Sequence, residues 1–177
     1  LCQNQEGYLS LSRLISRAYL EEHYHETPVI KADWLFADNK GLIVLHGRQS
    51  PLAHLMQAES TDAIKLTAQW LSLFPNRLYI EMTRLGFPEE LSFNSRAIAF
   101  ANQHQLPLLA SNDVRFLNHE DFEAHEARVC ISSGRVLDDP KRPKLYSQQQ
   151  YLKTPEEMSA LFEDLPEAIQ NTVELAK

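Results

Sequence analysis

Long apolar runs are missing from this sequence, and cysteine is rare. No stretch approaches the roughly 20 apolar residues of a membrane-spanning helix, and the opening LCQNQEGYLS lacks the basic start and apolar stretch of a secretory leader. We therefore expect no contact with a membrane. The two cysteines, Cys2 and Cys130, form no metal-binding spacing, and Cys130 lies in an apolar context. This context favours a buried, reduced thiol and a cytoplasmic location.

Positive charge is not in excess either. The formal net charge is −7 at pH 7 over 177 residues. A domain that held DNA by its own surface is expected to be basic, because neutralisation of phosphates supplies most of the affinity. The composition is otherwise ordinary for a globular protein, with 44% hydrophobic and 23% charged residues. The chain alone is therefore a poor candidate for direct nucleic-acid binding.

The common catalytic motifs are absent as well. The sequence contains no HxH at a strand end, no HExxH, no P-loop and no GxSxG, so no self-contained catalytic site is visible. Seven histidines still raise the question of a metal site. His23 and His25 alternate in EEHYHETP and could both bind a metal from an extended strand, but the polar context favours a solvated helix end. Three more lie in polar surroundings and are expected to be exposed: His54, His104 and His119.

Apolar periodicity divides the chain into alternating helices and strands. An amphipathic helix is predicted over about 6–21, with its apolar face formed by Tyr8, Leu11, Ile15 and Ala18 and with Leu14 on the flank. A second helix is predicted at 62–74, with its face formed by Ile64, Ala68 and Leu71 near Trp70 and Phe74. Further helices are predicted at 88–104 and 120–132, and short buried strands at 41–47, 77–84 and 106–111. This alternation favours a parallel sheet or barrel with covering helices.

Residues at the carboxyl ends of such strands face the functional rim of the fold. Here these positions hold His46, Arg48, Arg84, Asn112, Asp113 and Arg115. Asp113 is the strongest functional candidate, because a carboxylate in an otherwise apolar segment must be paired or metal-bound. A salt bridge with Arg84 or Arg115 is favoured over metal binding, since metal hydrolases need several converging histidines and carboxylates.

Two histidines lie on predicted core elements. His46 ends a predicted strand and could face the rim, although a hydrogen-bonded structural role is favoured for a lone imidazole. His125 shares a helical stripe with Phe122 and Val129, so its ring is expected to point inward. A core histidine that binds a backbone carbonyl is favoured there over a functional one.

The tail has a different character. The stretch GRVLDDPKRPKLYSQQQYLK is polar and interrupted by prolines, which predicts a long surface excursion. Thr154 to Glu157 then form a capping box with proline at the first helical position, and the apolar face of the helix follows as Met158, Leu161, Phe162 and Leu165. Asp164 with Glu167 predicts the same device for a final helix. Both termini look cut, so we expect an internal piece of a longer protein.

The ordered set of these stretches resembles a known family. The segment beginning LLASNDVRFLNHEDFEAHEARV, together with NQEGYLSLSRLISRAY, GLIVLHGRQ and RLYIEMTRLGFPEE, resembles the polymerase-and-histidinol-phosphatase (PHP) domain of bacterial DNA polymerase III alpha subunits. The resemblance implies an α/β fold, namely a distorted (β/α)7 barrel that here lacks its first strands and carries a helical C-terminal tail. Residues 1–150 would be the PHP segment, and 151–177 a helical pair leading toward the next polymerase domain.

Active members of the family hold a metal cluster, and the resemblance implies two departures from it here. The family's Asn-Asp-x-His ligand motif corresponds to Asn112-Asp113-Val114-Arg115, and a ligating cysteine corresponds to Arg48. A guanidinium offers no lone pair to a cation. We therefore expect Asp113, a vestigial metal ligand, to form ion pairs with Arg115 and Arg48, while Asn112 and His125 are structural. An HxH motif and a further histidine would lie upstream of Leu1.

The resemblance implies a non-catalytic structural and docking segment of a bacterial replicative polymerase, whose Mg²⁺-dependent nucleotide transfer belongs to a palm domain outside this chain. Implied partners are the rest of the alpha chain, the proofreading exonuclease subunit, other holoenzyme subunits and, through the parent protein, DNA. We expect no cofactor in this segment. The alternative is a residual metal-dependent phosphoesterase, pyrophosphatase or 3′–5′ exonuclease that uses Zn²⁺ or Mn²⁺.

Overall fold

The computed structural model describes residues 1–21, 23–24, 27–56 and 61–177. The chain divides into two compact units, Leu1–Tyr79 and Ile80–Lys177. The prediction of a solvated helix end at His23 and His25 concerns side chains outside the described part of the chain. The predicted exposure of His54 does so as well. Within the described ranges, every helix falls short of the length and hydrophobicity that a bilayer crossing requires.

The first unit is mainly helical. Its helices are α1 (Gln5–Glu21), α2 (Ala32–Ala37), α3 (Pro51–Leu55) and α4 (Thr61–Leu73). Strands β1 (His23–Tyr24) and β2 (Thr27–Pro28) form an antiparallel pair, and β3 (Val44–His46) follows α2. The backbone amide of Val44 donates to the Arg77 carbonyl at 2.8 Å, which aligns β3 with the residues entering β4 (Leu78–Met82). The boundary of the unit falls within β4.

The predicted first helix is confirmed, but its predicted core face is partly wrong. Ala18 is buried as expected, whereas Tyr8 is 58% and Ile15 43% exposed. The buried face also includes Gly7, Ser10 and Leu14. A Cβ at Gly7 would lie 2.0 Å from the Gly41 carbonyl oxygen, so α1 approaches the chain at Gly41 through backbone contact. Small residues therefore determine which face of α1 is buried. Because Gly7 and Gly41 are distant in the sequence, the local spacing of apolar residues does not predict this contact.

The face of α4 is also shifted from the prediction. Ile64 is 69% exposed, while Thr67 and Trp70 are buried. Trp70 contacts Phe36 edge-to-face at 5.0 Å and stacks on Phe74 at 5.5 Å. The large aromatic surface of Trp70 thus decides which side of the helix faces inward, because its burial contributes more free energy than burial of Ile64.

The second unit contains the parallel strand pair. Residues Ile80–Met82 of β4 pair in parallel with β5 (Leu108–Ala110) in the register Ile80↔Leu108 and Met82↔Ala110. The inward residues of β4 alternate, and all of β5 is buried, as expected of strands covered by helices. The helices are α5 (Glu90–His104), α6 (Phe122–Ser133), α7 (Pro155–Leu161) and α8 (Pro166–Ala176), with a 3₁₀ turn at His119–Asp121. The prediction of a mixed α/β chain with a parallel sheet is confirmed.

The two C-terminal helices begin differently. The capping box of α7 is confirmed: the Thr154 hydroxyl accepts from the Glu157 amide, and the Glu157 carboxylate accepts from the Thr154 amide. The second predicted cap is wrong. The N-cap of α8 is Leu165 with no side-chain hydrogen bond, because the Asp164 carboxylate instead binds Arg84. Helix α8 is held on β5 by Thr172, whose hydroxyl donates to the Ala110 carbonyl at 2.8 Å.

Candidate functional site at the end of strand β5

The turn Asn112–Arg115 leaves the carboxyl end of β5. Asn112 is 7% exposed, and its amide donates to the backbone carbonyls of Gln149 at 2.9 Å and Tyr151 at 2.7 Å. The Asn112 Oδ1 atom is buried and has no hydrogen-bond partner among the described residues. Asp113 has φ 41°, in the left-handed region that Asp tolerates better than most residues. The turn is thus held in a special conformation by a segment distant in sequence.

Two side chains, Arg115 and Gln150, bind the Asp113 carboxylate. Arg115 Nη2 lies 2.9 Å from Oδ1, and Gln150 Nε2 donates to Oδ2 at 2.8 Å. The side chains of Asp113 and Arg115 are 45% and 44% exposed. Because solvent screens a pair of this exposure, it contributes no more than about 1 kcal/mol to stability. Arg115 therefore neutralises the carboxylate without strongly stabilising the fold.

An aromatic cluster lies beside this pair. The Arg115 guanidinium is 5.6 Å from the centre of the Tyr146 ring, which meets the His125 ring edge-to-face at 4.6 Å. His125 is 6% exposed, as predicted, but its Nδ1 has no hydrogen-bond partner among the described residues. Burial lowers the His125 pKa, and the positive charges of Arg128 and Arg115 lower it further against the opposing effect of Glu126. His125 thus packs as a neutral ring against aromatic neighbours.

Arg84 does not take part in this turn. Its guanidinium donates to both carboxylate oxygens of Asp164, at 2.7 and 2.8 Å, and to the Leu161 carbonyl at 2.6 Å. The Phe162 ring lies 4.7 Å below it. Of the two salt bridges considered for Asp113, the one with Arg84 is therefore wrong, and Arg115 is the partner. The hydrogen bonds from Arg84 lower the pKa of the Asp164 carboxyl.

His46 and Arg48 belong to the first unit. His46 is 2% exposed and meets Trp70 edge-to-face at 4.7 Å. Neither ring nitrogen has a hydrogen-bond partner among the described residues, so the expected hydrogen-bonded role is wrong. Burial lowers the pKa of His46 to about 4. Arg48 is of intermediate exposure, and its pairing with Asp113 stays a prediction.

The other histidines and the cysteines give mixed outcomes. His119 is exposed as predicted, whereas His104 is partly buried against the Phe100 ring at 4.4 Å. Its position on the last turn of α5 explains the difference, because Phe100 is four residues earlier on the same face. Cys130 is buried and unbonded, as predicted, and Cys2 is exposed.

The residues present do not fit a metal cluster of the kind that the family resemblance implies. Within the described ranges, no group of three or more His, Cys, Asp or Glu side chains is placed to hold a metal ion. Asp113 Oδ2 accepts from Gln150 and Arg115, and Oδ1 lies 2.9 Å from Arg115 Nη2. The Arg115 guanidinium has no lone pair to offer a cation. The chemistry of this donor set is that of an ion pair.

Gln150 is the site residue that sequence reasoning missed. It is 1% exposed, although it closes the polar run Gln148-Gln149-Gln150. Nothing in the local pattern separates it from its two exposed neighbours. Glu126 was missed as well; it is 4% exposed and forms a partly buried ion pair with Arg142.

The comparisons with known proteins agree with the family resemblance. The model of the PHP domain matches residues 1–85. Over 179 aligned residues that cover all of this chain, the sequence is 46% identical to the DNA polymerase III subunit alpha of Pseudomonas aeruginosa, 50% identical to that of Xylella fastidiosa strain 9a5c and 45% identical to that of Escherichia coli strain K12. The chain spans about 15% of the length of each of these relatives.

Proposed function

We propose that this chain, which matches the PHP-domain region of DNA polymerase III alpha subunits, is a non-catalytic structural and docking part of a bacterial replicative polymerase. The observation that carries the proposal is the Asp113–Arg115 ion pair. It lies where the family resemblance implies a metal-binding Asn-Asp-x-His motif. A positive side chain in this place supplies the charge that a cation would supply.

The wider protein is the enzyme in this proposal. The relatives are named as DNA polymerase III alpha subunits, which supports a DNA-directed DNA polymerase as the parent protein. Its Mg²⁺-dependent nucleotide transfer would take place in a palm domain outside these residues. The incomplete (β/α)7 barrel and the division into 1–150 and 151–177 remain parts of the proposal, as does the cytoplasmic location.

The docking role concerns the subunits that work with such a polymerase. The proofreading exonuclease subunit is the partner we propose first, followed by other holoenzyme subunits and by DNA held through the parent protein. The reason is that a PHP segment without a metal site still has a packed core, and this core supports a surface to which another protein can bind.

The test is a measurement of bound metal and hydrolysis on the full-length polymerase subunit that contains this chain. We expect less than stoichiometric Zn²⁺ and Mn²⁺ by mass spectrometry, and no turnover of a phosphomonoester, pyrophosphate or 3′-ended DNA that depends on Asp113. The variant is Asp113→Asn, and the matched control is Asp138→Asn at an exposed position. Stoichiometric metal and turnover that both disappear in Asp113→Asn alone would establish the residual hydrolase instead.

A further inference from the structure

We infer that residues 134–150, here called the strap, close over the turn Asn112–Arg115, and that Gln150 is the latch that keeps the strap closed. The inference rests on the proposed function only in treating this turn as the former metal-ligand site. The closure itself rests on contacts within the second unit. Its consequence is that the Asp113 carboxylate is held by a neutral side chain in addition to Arg115.

Gln150 uses all of its side-chain polar groups to bind the turn and its own strap. Its Nε2 donates to Asp113 Oδ2 at 2.8 Å and to the Asp113 carbonyl at 3.2 Å. Its Oε1 accepts from the Ser147 amide at 2.9 Å, and its backbone carbonyl accepts from the Arg115 amide at 2.8 Å. A buried amide that lost these partners would leave several unsatisfied polar groups. Gln150 is therefore specified by its contacts, unlike the exposed Gln148.

Three further contacts fasten the strap to the second unit. Arg142 forms the partly buried ion pair with Glu126 on α6, and the Tyr146 ring contacts the His125 ring on the same helix. The Ser147 hydroxyl donates to the Leu85 carbonyl, in the loop after β4, at 2.5 Å. The middle of the strap, in contrast, leaves Lys141 and Lys144 exposed. The strap is thus anchored on α6 and on the loops after both paired strands, with Gln150 as the contact on the carboxylate itself.

The latch also explains the backbone of the turn. Asp113 is one of three non-glycine residues with positive φ in the described part of the chain. Such a conformation costs on the order of 1 kcal/mol and persists where surrounding contacts impose it. Gln150 binds both the carbonyl and the carboxylate of Asp113, so it holds the backbone and the side chain of this residue together. Opening the strap would release the turn and expose the unpartnered Oδ1 atom of Asn112.

Hydrogen exchange on the full-length subunit tests the latch. The variant is Gln150→Ala, and the control is Gln148→Ala, the same substitution two positions earlier. We expect the Arg115 amide, which donates to the backbone carbonyl of Gln150, to exchange about 10- to 100-fold faster in Gln150→Ala. The backbone acceptor stays in this variant, but loss of the side-chain hydrogen bonds to Asp113 lets the strap open more often. Exchange in β4 and β5 should stay at the wild-type rate. Unchanged exchange at Arg115, or an equal increase in Gln148→Ala, overturns the latch.

A second variant keeps the test decisive if Gln150→Ala loosens the whole unit. Gln150→Glu preserves size but places a second carboxylate against Asp113. At pH 8 we expect fast exchange of the Arg115 amide. A neighbouring carboxylate and burial raise the pKa of the carboxyl that this substitution introduces, so at pH 5 it is protonated and can donate to Asp113 again. The protection of the Arg115 amide, relative to wild type at the same pH, should then return. Protection that does not respond to pH overturns the latch. Stoichiometric metal in the wild-type subunit would instead overturn the proposed function and leave the exchange result standing.

Discussion

The buried imidazole of His46 makes the stability of the first unit dependent on pH. The ring is 2% exposed, has no hydrogen-bond partner on either nitrogen among the described residues, and has a pKa lowered from 6.5 to about 4. The unfolded chain therefore binds a proton at this side chain more readily than the folded chain. His46 leaves the free energy of unfolding almost unchanged above about pH 7.5, and the free energy of unfolding falls as the pH decreases through 6.5 toward 4.

The size of this effect follows from the two pKa values. With 6.5 for the unfolded chain and about 4 for the folded chain, linkage gives a loss of about 2 kcal/mol at pH 5 and about 3 kcal/mol at pH 4. The variant that removes the effect is His46→Phe, which retains a ring against Trp70 and binds no proton. The matched control is His119→Phe, at an exposed position.

The assay is denaturant unfolding at pH 7.5 and pH 5, followed by tryptophan fluorescence. Both tryptophans, Trp34 and Trp70, lie in the first unit and so report on the unit that contains His46. We expect wild type and His119→Phe to lose about 2 kcal/mol more than His46→Phe between the two pH values. Equal losses in wild type and His46→Phe would refute the assignment of this proton-binding site to His46.

Three further predictions concern stability. Replacing Arg84 by Ala should lower the free energy of unfolding by about 1–3 kcal/mol in chemical denaturation, since it leaves the Leu161 carbonyl and Asp164 without their donor. A decrease below about 0.5 kcal/mol would contradict this. Gly7→Ala should prevent stable folding of the first unit, because the new Cβ would lie 2.0 Å from the Gly41 carbonyl oxygen. The loss would be seen as the absence of the fluorescence transition of this unit. A folded variant of wild-type stability would show instead that the helix can shift freely. Thr154→Ala should cost about 1 kcal/mol through loss of the cap, and Thr154→Ser should restore most of it in the same measurement.

The sequence predicts those features whose cause is local. The strand around Leu109 is apolar over its whole length, the strand around Ile80 is apolar at its inward positions, and the alternation of strands with helices implies a parallel sheet. The box at Thr154 is predicted correctly because its two hydrogen bonds join residues three positions apart. Periodicity also places His125 in the core. Each of these predictions needs only the neighbours along the chain.

The incorrect predictions depend on contacts between distant residues. The buried face of α1 is set by the approach of Gly7 to Gly41, and the final helix loses its expected cap because Asp164 binds Arg84, 80 positions away. Gln150 binds Asp113 across 37 positions. Periodicity and capping rules describe residues within one or two turns of each other, so no pattern of this kind could have identified these pairs.

The relative strength of two contacts explains how the turn after β5 is held. The Asp113–Arg115 pair is about half exposed and contributes no more than about 1 kcal/mol, so its removal alone would leave the turn in place. Gln150 is almost fully buried, and the loss of its hydrogen bonds would leave the desolvation of several polar groups uncompensated, at about 1–3 kcal/mol for each. The guanidinium therefore supplies the charge at this site, and the neutral amide supplies the geometry. Arg115→Gln should accordingly leave the exchange of the strap near its wild-type rate, which is the reverse of the result expected for Gln150→Ala.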